Sequence, residues 1–184
     1  MNTTLQAPTI KGIFVNSHIK AVRKAKGEQG IAKLKKYCPD LLHFKNSDDV
    51  LVRDEVRLLE CSLQVMYEDR SFSKKELEYE AGCLHFTNFL TTPLAQILFP
   101  LFRTHFKRVM MRAKYVAGHV FQGLQFDSAE ISSHAIEVSI KNNDYPLSHF
   151  QGFFQEWMDF SNHKGKVDAK VLADGTYIYT MRWK

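Results

Sequence analysis

Residues 134–157 read HAIEVSIKNNDYPLSHFQGFFQEW, and the spacing of their apolar residues changes halfway. Ile136, Val138 and Ile140 alternate with Glu137 and Ser139, the two-residue repeat of a strand with one buried face. Beyond Pro146, the residues Leu147, Phe150, Phe154 and Trp157 fall three and four apart, which predicts a helix over 147–161. The period then returns to two. Val167, Ala169 and Val171 mark a strand, Asp174-Gly175 a tight turn, and TYIYTMRW (176–183) the returning strand. A strand, one crossing helix and a hairpin together predict a small antiparallel sheet with an aromatic helix laid across it.

Upstream the chain reads as helices. SHIKAVRKAK (17–26) is expected to start at a Ser17 N-cap and to stop at Gly27. GEQGIAKLKKYC (27–38) follows and is ended by Pro39, because a residue before proline avoids helical geometry. In SDDVLVRDEVRLLECSLQVMYED (47–69), Val52, Val56, Leu59, Leu63 and Met66 line one face, and Ser47, Asp48 and Asp49 suit its N-terminus. SFSKKELEYEAGCLHFTNFL (71–90) carries Ser73 three residues before Glu76, a capping-box pattern that starts a helix at Ser73. Thr91-Thr92-Pro93 marks a break and a fresh start, with a short helix up to Pro100. Phe102, Phe106, Val109, Met110, Ala113, Val116, Ala117 and Val120 then form a stripe that predicts one helix over 102–121. The fold class is therefore α+β: a helical N-terminal two-thirds packed on a small C-terminal antiparallel sheet. Residues 1–9 are expected to form a flexible leader and residues 10–184 a single domain.

With 184 residues, 45% hydrophobic and 24% charged, the chain can bury a substantial core, and no apolar run is long enough to span a membrane. Its three cysteines, Cys38, Cys61 and Cys83, lack CxxC spacing, so reduced thiols and a cytoplasmic location are expected. The net charge of +5 is unevenly spread. Lys20, Arg23, Lys24 and Lys26 belong to one basic stretch, and Arg103, Lys107, Arg108, Arg112 and Lys114 to a second that contains no acid. These groups form a candidate docking surface for an acidic partner. Nucleic-acid binding is the weakest of the binding readings, because stacking aromatics do not run through the basic residues and no helix-turn-helix signature is secure.

Catalytic signatures are missing from the sequence. Cys83 and His85 lie two apart on a helix and so point roughly 200° away from each other, which argues against a thiolate–imidazole pair or a shared metal. The eight histidines show no metal-ligand spacing. GxGxxG, GxxxxGK[ST] and GxSxG motifs are absent, as is CxxCH. No enzyme is expected, and no metal or other cofactor; haem stays open but has no motif behind it. The aromatic surplus instead suggests an apolar pocket, with Tyr79, His85, Phe86, Phe89, His119, Phe150 and Phe154 as candidate lining residues.

Taken in order, KGIFVNSHIKAVRKAKGEQGIAKL, EAGCLHFTNFLTTPL, YPLSHFQGFFQEW and YIYTMRW resemble a family of bacterial proteins of unknown function found mainly in myxobacteria and related deltaproteobacterial groups. That family is similar, at a distance, to the 4-vinyl reductase domains, the haem–nitric-oxide-binding domains and the core subunits of the TRAPP tethering complexes. The resemblance implies a helical subdomain on an antiparallel sheet, with a cavity between them that relatives use for haem, small aromatic ligands or an acyl chain. The Tyr-x-Ser-x-Arg signature of the haem-binding relatives does not occur in this sequence. The expectation is a non-enzymatic regulatory or sensory domain that binds a small apolar ligand or a protein partner. A pure interaction module, as a homodimer or adaptor, is the alternative.

Overall fold

The computed structural model describes residues 6–184, apart from the side chains of residues 99, 101 and 102. Of the leader expected over 1–9, residues 1–5 lie outside the described residues, while Pro8 is buried and Thr9 belongs to a strand. That strand, β1 (Thr9–Lys11), leads directly into α1 (Gly12–Tyr37). Ser17 is therefore no N-cap; it sits inside α1 and its hydroxyl donates to the Phe14 carbonyl. The boundary expected at Gly27 is present as a kink, with φ at 63° and ψ at −157°, a conformation open to glycine alone.

The start expected at Ser47–Asp49 for the next helix is also displaced. Asp49–Leu51 forms β2, pairing Val50 with Ile10, and α2 spans Val52–Met66. The Asp48 carboxylate accepts from the Lys45 amide at 2.7 Å, so it caps the preceding turn. α3 (Lys74–Phe89) begins with both halves of the expected capping box: Glu76 N donates to Ser73 Oγ at 3.3 Å, and Ser73 N to Glu76 Oε2 at 2.9 Å.

α4 (Pro93–Thr104) starts as the proline predicts but does not stop at Pro100. Pro100 is exposed, where water can satisfy the carbonyl that its missing N–H leaves free. The single helix expected over 102–121 is broken into α5 (Phe106–Met110) and α6 (Ala113–Ala117), because His105 and Arg112 leave helical geometry. Its stripe still faces inward: Phe106, Val109, Met110, Ala113 and Val120 are buried. Phe102, the first residue of that stripe, lies outside the described residues.

Two antiparallel sheets complete the fold. β1 stands between β2 and β3 (Phe121–Gln122). The larger sheet has the order β4-β5-β7-β6, from β4 (Gln125–Ser132), β5 (Ala135–Lys141), β6 (Gly165–Val171) and β7 (Tyr177–Trp183). The expected strand residues Ile136, Val138 and Ile140 are wholly buried, and Gly175 supplies the positive φ of the final turn. α7 (Leu147–Phe160) joins β5 to β6 and lies between the larger sheet and α3, with α1 and α2 beyond α3. α5 and α6 cover the β4–β5 side. Phe150, Phe154 and Trp157 bury the inner faces of α7 as their spacing predicts. Among the described residues, no helix is long and apolar enough to cross a membrane.

Candidate functional site

The crossing of α3 and α7 sets the geometry of the interior. A β-carbon at Gly82 would stand 1.8 Å from the His149 carbonyl oxygen, and one at Gly152 would stand 2.0 Å from that of Tyr79. Two glycines thus let the helix backbones touch. This contact brings His85 of α3 against His149 of α7, with His85 Nδ1 and His149 Nε2 3.0 Å apart.

His85 belongs to a buried polar cluster. Asn88 Nδ2 donates to His18 Nδ1 at 3.0 Å, which leaves the proton of His18 on Nε2 to donate to Glu55 Oε1 at 2.9 Å. Tyr145 donates its hydroxyl to Glu55 Oε2, and His85 Nε2 lies 3.6 Å from Glu55 Oε1. His18, Glu55, His85, Tyr145 and His149 are all buried. Burial by itself would raise the Glu55 carboxyl, but His85 beside it and the hydrogen bonds from His18 and Tyr145 outweigh that and hold it below the usual carboxylate range. Burial pushes His85 down to about 4 despite the attraction of Glu55, and it pushes His149 well down too. At neutral pH, His85 and His149 are therefore neutral beside an ionised Glu55. Helical periodicity cannot reveal this cluster, because its members come from four segments far apart in sequence. The one available signal is that His18 and Glu55 interrupt otherwise apolar faces.

The expected pocket between helices and sheet shrinks to a cavity of about 50 Å³. Of the candidate lining residues, His85, Phe89, Phe150 and Phe154 border it, together with Phe121, Phe126 and Phe153. Phe86 does not reach it, being stacked on Trp157 with ring centroids 5.4 Å apart. Tyr79 stays at the helix crossing, half-buried, where burial pushes its hydroxyl up to about 12. His119 is exposed against Tyr115 on the other side of α6. The space holds a few water-sized molecules.

A second, larger concavity of about 480 Å³ runs between α4 and the α5–α6 segment. Leu94, Leu98, Val109 and Val116 form its walls, and His105, Arg108, Arg112, Tyr115 and His119 surround them. Of Arg108, Arg112 and Tyr115, only the arginines were expected to act. Neither Arg108 nor Arg112 pairs with an acid among the described residues. Lys107, by contrast, is tied to Glu130 at 2.6 Å, and Arg23 to Glu28 at 2.8 Å. The two basic stretches do not share a site: Lys20 and Lys24 border a different groove, beside Glu80 and Glu156, and Lys26 and Arg103 are exposed and border neither.

With this geometry in hand, comparison with known proteins fixes the family. A model described as DUF2378, protein of unknown function, matches residues 4–184. The chain belongs to the DUF2378 family. No curated protein sequence matches it. Among solved structures, a variant of the T. tengcongensis H-NOX protein superposes with a TM-score of 0.61 at 18% identity, covering 95% of this chain and 98% of that one. A K. algicida H-NOX mutant in the Fe(II) unliganded state gives 0.63 at 12% identity, covering 95% and 97%. An oxygen-binding H-NOX domain related to soluble guanylate cyclases, as its oxygen complex, gives 0.59 at 16%, covering 95% of each. At these identities the DUF2378 chain shares their fold.

That fold raises the question of haem, and the interior does not fit it. The helices and the sheet meet through interlocked rings, Phe150 edge-on to Phe126 and Phe154 edge-on to Tyr179, around the 50 Å³ cavity. A tetrapyrrole is far larger than this space.

Proposed function

We propose that this DUF2378 chain is a non-enzymatic sensory domain that binds a small amphipathic carboxylate in the groove between α4 and α5–α6. The observation that carries this reading is an apolar trough of ligand size whose two rim arginines pair with no acid among the described residues. Leu94, Leu98, Val109 and Val116 suit an aliphatic body, while Arg108 and Arg112 supply forked donors for a carboxylate. The fold shared with oxygen-binding H-NOX domains supports a sensing role for the architecture. Three free cysteines fit a reducing, cytoplasmic setting.

A ligand touching Leu94 and Leu98 on one side and Val109 and Val116 on the other favours the arrangement in which α4 lies against α5–α6. Only that difference in affinity between arrangements shifts the population. The output is the neighbouring surface, where Ile97 is 78% exposed and Tyr115 72% exposed. Two such exposed apolar side chains also favour a second reading, in which the same face meets a protein partner or a second copy of the chain.

Isothermal titration of the full chain with dodecanoate, and in parallel with dodecanol, tests the proposal. Dodecanoate is expected to bind more tightly. The Arg108→Ala/Arg112→Ala double variant should weaken it on the order of 10- to 100-fold, the loss of hydrogen bonds to a charged group. Equal affinity for acid and alcohol, or no effect of the double variant, overturns the proposal.

A further inference from the structure

We propose that His18, Glu55 and His85 form a binding site for one first-row divalent transition-metal ion. The three residues come from α1, α2 and α3, and each offers a donor atom within 4.8 Å of the other two. Ligand atoms around a tetrahedral ion at about 2.0–2.2 Å stand roughly 3.3 Å from one another. The separations from Glu55 Oε1, 2.9 Å to His18 Nε2 and 3.6 Å to His85 Nε2, bracket that value.

Three features set this cluster apart from an ordinary buried hydrogen-bond network. First, His85 Nε2 is too far from Glu55 Oε1 for a hydrogen bond, so a nitrogen and a carboxylate oxygen face each other across a gap that a cation would bridge. Second, the atom behind each ligand already has a partner: Asn88 at His18 Nδ1, His149 at His85 Nδ1, and the Tyr145 hydroxyl at Glu55 Oε2. Outer partners of this kind orient metal ligands and fix their tautomers. With the metal bound, His85 donates its Nδ1 proton to His149, and the Asn88 amide turns to accept from His18 Nδ1, freeing both Nε2 lone pairs. Third, Glu55 is wholly buried, and a carboxylate in that position calls for a positive partner.

Two imidazoles and one carboxylate suit Zn²⁺, Fe²⁺ or Co²⁺, whereas Mg²⁺ and Ca²⁺ require more oxygen ligands than are present. His85 also lines the 50 Å³ cavity, which is the space available for a small fourth ligand. The ion would tie together the three helices on the far side of α7 from the sheet.

The test uses the full chain, stripped with chelator and then titrated with Co²⁺ as the spectroscopic probe. Metal content is measured after gel filtration. One equivalent of Co²⁺ should be retained, with the intense visible absorption of a low-coordinate site, and Zn²⁺ should displace it. Glu55→Gln preserves the side-chain shape and should weaken retention at least 10-fold; Asn88→Ala should weaken it on the order of 10-fold through His18. His43→Ala, at an exposed imidazole away from the cluster, should leave it unchanged. A wild-type chain that retains no Co²⁺, or shows only the faint spectrum of hydrated ion, overturns the proposal without any variant having to fold. Retention unaffected by Glu55→Gln overturns it too, by placing the metal elsewhere.

Discussion

Gly152 lies so close to the backbone of Tyr79 that a β-carbon on it would stand 2.0 Å from the Tyr79 carbonyl oxygen. Backbone cannot swing aside as a flexible side chain can, so Gly152→Ala must push α7 away from α3. The expected cost is about 1–3 kcal/mol or more, read as a lower urea midpoint. The same substitution at Gly82, whose β-carbon would meet the His149 carbonyl, should behave alike. A Gly152→Ala protein as stable as the parent would contradict the close crossing.

Tyr145→Phe removes one of the two hydrogen bonds that hold the buried Glu55 carboxylate. A hydrogen bond to a buried charged group is worth about 1.5–3 kcal/mol, and the variant should lose stability of that order at pH 7. Equal urea midpoints for the two proteins would mean that Glu55 does not depend on the tyrosine.

Much of this architecture is legible in the sequence wherever one face of an element is buried over several turns. The alternation of Ile136, Val138 and Ile140 and the spacing of Phe150, Phe154 and Trp157 each report a continuous buried face, and both elements form where expected. β1, β2 and β3 are too short for a period to show. β4 is an edge strand whose residues are mostly exposed, so its sequence carries no alternation. The breaks at His105 and Arg112 leave the apolar stripe intact and hence are invisible to it. For the site, aromatic surplus points to His85, Phe89, Phe150 and Phe154, which the structure gathers around one small cavity, but says nothing of how tightly they interlock. Glu55 and His18 meet across 37 positions, and local spacing does not encode such a contact.

Glu156 on α7 shares its surroundings with Asp159 and Glu80, and burial followed by these like charges raises its carboxyl. A carboxyl raised on folding contributes most when protonated, and that contribution is lost as pH rises through its folded value. Above that range the charge opposes folding. Glu156→Gln should therefore stabilise the protein by a few tenths of a kcal/mol at pH 7, since the group is partly exposed. The gain should vanish below about pH 4, where the unfolded carboxylate is itself protonated. Urea midpoints of both proteins at pH 7 and pH 4 measure this; a gain that grows at low pH would reverse the assignment.

Thiol chemistry should separate the cysteines. The Cys61 thiol, half-buried beside Cys38, is lowered, whereas burial pushes Cys83 up to about 12. Since the thiolate is the reactive form, iodoacetamide at pH 8 should label Cys61 first. Cys83, which donates to the Gly152 carbonyl, should stay protected until the protein is unfolded. Mass spectrometry of timed digests gives the order, and Cys83 reacting first would contradict it.

The most direct measurement of the central claim is a methyl-labelled NMR titration with dodecanoate. Saturable shifts are expected at the methyl groups of Leu94, Leu98, Val109 and Val116, lost in the Arg108→Ala/Arg112→Ala chain, with the sheet methyls of Val138 and Ile140 unmoved. Shifts confined to those sheet methyls, or no saturable shift in the groove, would contradict it.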